Sequence, residues 1–117
     1  MRIRLFPAFA MLAMCAPVVA QQGYVPNYVD HARCVAVAKV VATKAKDPAQ
    51  AKHFSTEALR AEKAARAKAI AEGKTAADAD RMIASQTNQF AKGNPDFPDL
   101  LESNLALCFS SGLLKQP

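Results

Sequence analysis

The chain has 117 residues and a formal net charge of +5, with 51% hydrophobic residues but only 7% aromatic ones and no tryptophan. That length supports one domain around a single modest core and excludes a second. The basic excess is mild and does not by itself imply a nucleic-acid partner.

Residues 1–20 read as a secretory leader. Arg2 and Arg4 form a cationic start, an apolar run follows from Leu5 to Val19, and Val18-Val19-Ala20 before Gln21 suits cleavage after Ala20. Pro7 and Pro17 interrupt the run, which falls short of the ~20 apolar residues a membrane span needs. Leu12-Ala13-Met14-Cys15 faintly resembles a lipoprotein signal, but Met14 is bulkier than the residue that should precede an acylated cysteine. No later stretch is apolar enough to span a membrane, so the mature protein is expected to be soluble and periplasmic or secreted. Cleavage removes Cys15 and leaves Cys34 and Cys108, which in an oxidising compartment form one disulfide. It also leaves thirteen Lys/Arg and ten Asp/Glu, a net +3. These are unevenly placed: Lys39 to Lys74 carries nine bases and four acids, and Asp78 to Glu102 carries five acids and two bases.

Residues 21–27 form a flexible lead-in, and residues 28–117 are expected to be one helical domain. Asn27 can cap a first helix, with Asp30 at the favourable end of its dipole. Cys34, Val37, Ala38, Val41 and Ala45 then recur at helical spacing, while Val35 and Val40 widen the apolar surface, as befits a central helix. Asp47-Pro48-Ala49-Gln50 starts a second helix, with Asp47 as cap, Pro48 in the first position and Gln50 able to reach back to the cap amide. It is expected to run to Glu72 and stop at Gly73, with Ser55-Thr56 as the one place where it could bend. Thr75 caps a third helix with Asp78 three positions on; Ala79, Met82, Ile83, Gln86 and Phe90 form its inward face, and Gly93-Asn94-Pro95 ends it. Asp96 is expected to open a fourth helix, with Pro98 and Asp99 in its first turn, Phe97, Leu101, Leu105 and Cys108 on one side, and Gly112 at its close.

Four helices on short connections predict a small all-α, four-helix up-down-up-down bundle. In that topology the start of the first helix lies beside the end of the fourth, which is where Cys34 and Cys108 fall. The predicted disulfide therefore joins helix one to helix four, and the two expectations agree.

The search for chemistry is mostly negative. There is no Gly-rich phosphate loop and no serine nucleophile elbow, and Asp78 and Asp80 point about 200° apart on a helix. His31 and Cys34 have the i,i+3 spacing of a two-ligand metal site that His53 could join, but oxidation of Cys34 removes it. Neither an enzyme nor a cofactor is expected. On the second helix, Ala51, Phe54, Ala58, Ala61, Ala65 and Ala69 form a stripe of mainly small residues that should face the core. Roughly opposite lie Leu59, Lys63, Arg66 and Ile70, flanked by Lys52, Arg60 and Lys74. Leu59, Arg60, Lys63, Arg66 and Ile70 are the candidate partner-binding residues, with Leu59 and Ile70 as apolar anchors among steering charges. The bland alternative is that other helices cover both aliphatics while the bases extend to water.

The format, small, exported and pinned by one disulfide, is similar to that of periplasmic immunity proteins and hydrolase inhibitors. The expected function is binding of a protein partner in the cell envelope, with acidic character suited to the basic stripe. The alternatives are an anionic phospholipid or lipopolysaccharide surface and a periplasmic stress chaperone. Export disfavours a nucleic-acid partner.

Overall fold

The computed structural model describes residues 24–117, so the leader reading, cleavage after Ala20 and the Cys15 alternative lie outside the described residues. Within them the chain forms four α-helices and no strand: α1 Tyr28–Lys44, α2 Pro48–Ala71, α3 Ala76–Lys92 and α4 Leu100–Ser110.

Side chains near the helix ends explain most of these boundaries. Asn27 opens α1 through a capping box: its Oδ1 accepts from the Asp30 amide at 3.0 Å, and Asp30 Oδ2 accepts from the Asn27 amide at 2.9 Å. Thr75 and Asp78 make the same reciprocal pair at the start of α3. Asp47 caps α2 by accepting from the Ala49 amide at 3.1 Å with Pro48 in the first position, but Gln50 does not complete a box. α2 passes Ser55-Thr56 without a break over 24 residues, about 36 Å at 1.5 Å per residue. It ends where Gly73, at φ +81°, lets the Lys74 amide reach Ala69 O at 2.8 Å and the Gly73 amide reach Ile70 O at 3.0 Å. Those two bonds satisfy carbonyls that the last helical turn leaves open.

The start of the fourth helix differs from expectation. α4 begins at Leu100, and Asp99, at the cap position, makes no side-chain capping bond. Pro98 is the cause, because a residue preceding proline is driven out of the helical region, so Phe97 cannot join a first turn. Asn94 organises the segment instead, its Oδ1 accepting from the Asp96 amide at 2.9 Å and its carbonyl from the Phe97 amide at 3.0 Å. Phe97, expected on the inward stripe, is consequently 62% exposed.

Packing centres on α1. Its residues Cys34, Val35, Ala36, Val37 and Ala38 are all buried, so no side of this stretch faces water. α1 packs against α2, α3 and α4; α3 lies on α1 and α2; α4 packs chiefly on α1 and makes little contact with α3. The arrangement is thus a helical bundle with a hub, in which the consecutive pair α3 and α4 does not pack as ring neighbours. The inward residues of α2 are Phe54, Ala58, Ala61, Ala65 and Ala69, and those of α3 are Ala79, Ile83 and Phe90. Small residues along α2 let it approach α1 closely at the cost of apolar area.

Contacts at the ends show how the helices run. The Tyr28 amide, opening α1, donates to Glu72 at the end of α2 at 3.3 Å, and Arg66 late in α2 pairs with Asp80 early in α3 at 2.8 Å. Cys34 in α1 is bonded to Cys108 near the end of α4, with Cα atoms 5.8 Å apart. Beyond α4, Gly112 adopts φ +78° and the Leu113 and Leu114 amides both bond to Cys108 O, at 3.0 and 3.1 Å. This turn sends Leu114 into the core, where it is 2% exposed. Among the described residues no helix is long and apolar enough to cross a membrane.

The cross-link spans 74 residues of sequence, and in the chain-entropy account closing such a loop contributes about 4.5 kcal/mol. A domain of this size has a total stability on the order of 5–15 kcal/mol. Thermal unfolding followed by circular dichroism should therefore show a drop in Tm of more than 10 °C for Cys34→Ala/Cys108→Ala, and a matching drop for the wild type in reductant.

Candidate binding groove

The exposed side of α2 carries the five residues singled out from the sequence, and the fold divides them. Leu59 and Ile70 are 70% and 61% exposed, so no other helix covers them. They share a face of α2, eleven positions apart, or about 16 Å. Lys63 lies between them, exposed and without an ion-pair partner among the described residues. The two arginines are engaged within the fold. Arg66 pairs with Glu62 and, through Nε, with Asp80, each at 2.8 Å, tying the end of α2 to the start of α3. Arg60 holds Glu57 through Nη2 at 2.5 Å and Nε at 3.1 Å, and its Nη2 also lies 3.4 Å from Leu113 O.

α2 and α3 are joined at one end by the Lys74 turn and the Arg66–Asp80 pair, and a groove of about 760 Å³ lies between them towards the other end. The last turns of α1 line it with Lys39, Val40, Ala42, Thr43 and Lys44, of which the two lysines are exposed. Ser55, Ala58 and Leu59 of α2 form one wall, and Thr87 and Ala91 of α3 the other. The hollow follows from residue size, because three alanines and a valine line it where larger side chains would fill the gap. Two of its hydroxyls are turned back on their own helices, Thr43 Oγ1 to Lys39 O at 3.0 Å and Thr87 Oγ1 to Ile83 O at 2.6 Å. That bonding satisfies both hydroxyls within their own helices. Lys39 and Lys44 are its only charged residues and both are exposed. Of the sequence candidates, only Leu59 belongs to this groove.

A second constellation had not been singled out from the sequence. Glu57 is 5% exposed and receives Arg60 on one side and the Lys115 amide at 2.7 Å on the other. His53 Nε2 donates to the Lys115 carbonyl at 2.7 Å, which requires the Nε2-protonated tautomer or the imidazolium. Both backbone groups of Lys115 are thereby fastened to α2, beside the buried Leu114. The Arg60 guanidinium is the main cause that lowers the Glu57 carboxyl to about 2, against the opposing effect of burial. A signal existed in the sequence: Glu57 falls on the small-residue side of α2 at an i,i+3 distance from Arg60.

At the other end of α2, burial lowers the pKa of His31, with nearby Lys68 adding to the effect. His31 and His53 therefore sit in separate environments, and Cys34, committed to the disulfide, is no longer a thiolate ligand. Among the described residues no group of three or more His, Cys, Asp or Glu side chains could hold a metal ion. Comparison with models of protein families, with curated proteins and with solved structures found no match to this chain.

The depressed Glu57 pKa has a definite sign in stability. Its contribution is complete above the ordinary value of 4.5 and is lost as the pH falls towards about 2. With Arg60 partly open to water, the contribution is about 2–3 kcal/mol. Urea unfolding measured at intervals between about pH 2 and pH 7 should show this acid limb in the wild type. It should be flatter by that amount in Glu57→Gln, which is also less stable at neutral pH.

Proposed function

We propose that this is an exported small helical binding protein that acts on a protein partner in the cell envelope, in the manner of an immunity or inhibitor protein. The observation that carries the reading is the open apolar groove between α2 and α3, with Leu59 in its wall and Lys39 and Lys44 at its edge. Exposed apolar surface organised into a concavity is costly to keep in water and characteristic of binding sites. The partner that fits it offers an apolar side chain flanked by carboxylates. The apolar contact supplies affinity, and the lysines supply orientation and rate of encounter. Lys63 and Ile70, farther along the same face of α2, extend the contact, whereas Arg60 and Arg66 support the scaffold beneath it. Export is supported by the Cys34–Cys108 disulfide, since thiols in a reducing cytosol seldom persist as structural cross-links, and by the leader pattern of residues 1–20.

The same lysines would also attract an anionic lipid surface, and one pair of variants separates the readings. In pull-downs with the tagged protein from its native envelope, Leu59→Asp should weaken capture of the partner by at least tenfold. Lys39→Glu/Lys44→Glu should weaken it further and reduce its dependence on salt. Both variants should retain the wild-type circular dichroism spectrum. Capture of the same proteins by wild type and Leu59→Asp would defeat the groove as the site. Sedimentation with anionic vesicles, unaffected by Leu59→Asp, would instead favour the membrane surface.

A further inference from the structure

The groove has a complement on the same molecule. Phe97 stands 62% exposed in the turn before α4, between Asp96 and Asp99, both of which are also exposed. Neither carboxylate takes part in an ion pair among the described residues, and Asp99 does not cap its helix. Asp96-Phe97-Pro98-Asp99 thus exposes an apolar ring between two carboxylates without ion-pair partners among the described residues. The groove is a larger apolar hollow bounded by Lys39 and Lys44, and no carboxylate lines it.

The two features sit at the same end of the molecule. Ala91, in the groove wall, is three residues from Asn94, whose side chain and carbonyl shape the exposed turn. The turn does not fold back over its own groove, because Phe97 remains exposed. A basic hollow adjacent to an acidic knob forms a self-complementary surface. A two-fold rotation can place each knob in the other copy's hollow, satisfying both contacts at once.

We infer that, when no partner is bound, the groove is occupied by the Asp96–Asp99 turn of a second copy of this chain, and that two copies form a symmetric dimer by reciprocal insertion of Phe97. The inference rests on the groove being a docking surface, as proposed above, and names what covers it in the protein alone. Burial of the ring supplies most of the contact free energy, and pairing of Lys39 and Lys44 with Asp96 and Asp99 sets the register.

The test is sedimentation velocity on the full disulfide-bonded protein, together with two charge-reversed variants. The wild type should run as a concentration-dependent dimer, with its dissociation constant raised at least tenfold by Phe97→Asp and raised again at high salt. Lys39→Asp/Lys44→Asp makes hollow and knob both acidic, and Asp96→Lys/Asp99→Lys makes both basic, so each variant alone should be monomeric. Mixed in equal amounts they should restore the dimer, because every hollow then meets a knob of opposite charge. Circular dichroism checks that each variant is folded.

A wild type that stays monomeric at every concentration overturns the inference, as does a dimer indifferent to Phe97→Asp. A mixture of folded charge-reversed variants that remains monomeric also overturns it, and open-ended growth into larger species overturns the two-fold arrangement. The two readings fail separately. Leu59-dependent capture of a partner by a strictly monomeric protein removes the dimer and leaves the proposed function. A Phe97-dependent dimer without a Leu59-dependent partner does the reverse.

Discussion

The burial of the middle of α1, from Cys34 to Ala38, on every side is the constraint on which the rest of this structure depends. An alanine-rich chain with few aromatic residues has little apolar area to remove from water, and no pair of its helices could bury enough alone. Concentrating Val35, Val37 and Val40 with small residues on one helix lets each of the other three obtain its contact from the same source. The price is an asymmetric bundle, because helices that each face α1 need not face each other. The lack of close packing between α3 and α4 and the gap between α2 and α3 both follow from it.

The disulfide and the C-terminal tail solve the problem that this asymmetry creates. α4 packs chiefly on the hub and would be the easiest element to detach. It is fastened at Cys108, and the chain beyond it turns at Gly112, buries Leu114 and is held to α2 through both backbone groups of Lys115. A carboxylate as buried as Glu57 is tolerable only because Arg60 and a backbone amide satisfy it. Covalent and polar restraints therefore do for α4 what apolar packing does for α2 and α3.

Charge placement follows the same division between scaffold and surface. Of the bases in the middle segment, Arg60 and Arg66 make internal pairs, while Lys39, Lys44 and Lys63 make none among the described residues. The arginines suit these roles because a guanidinium can hold two acceptors at once. The lysines suit an exposed rim, with long stems over apolar surface and charges in water.

Much was legible in the sequence because it is decided locally. Asn27 with Asp30, Thr75 with Asp78, and Asp47 with Pro48 mark helix starts through side chains within three residues of the backbone they satisfy. Gly73 and Gly112 mark ends because those turns need a positive φ. Even the departure at Phe97 has a local cause in Pro98, which was present in the sequence and outweighed by the periodicity of the leucines that follow. With residues 1–20 set aside as an expected leader, two cysteines allow a single pairing, so the clamp between first and last helices was readable as well. Tertiary structure alone decided which arginines were neutralised, that Glu57 would fasten the tail, and that α2 and α3 would part over the end of α1. Those outcomes depend on distances between residues far apart in the chain, which no periodicity encodes. A groove in particular is defined by the side chains that neighbouring helices fail to supply.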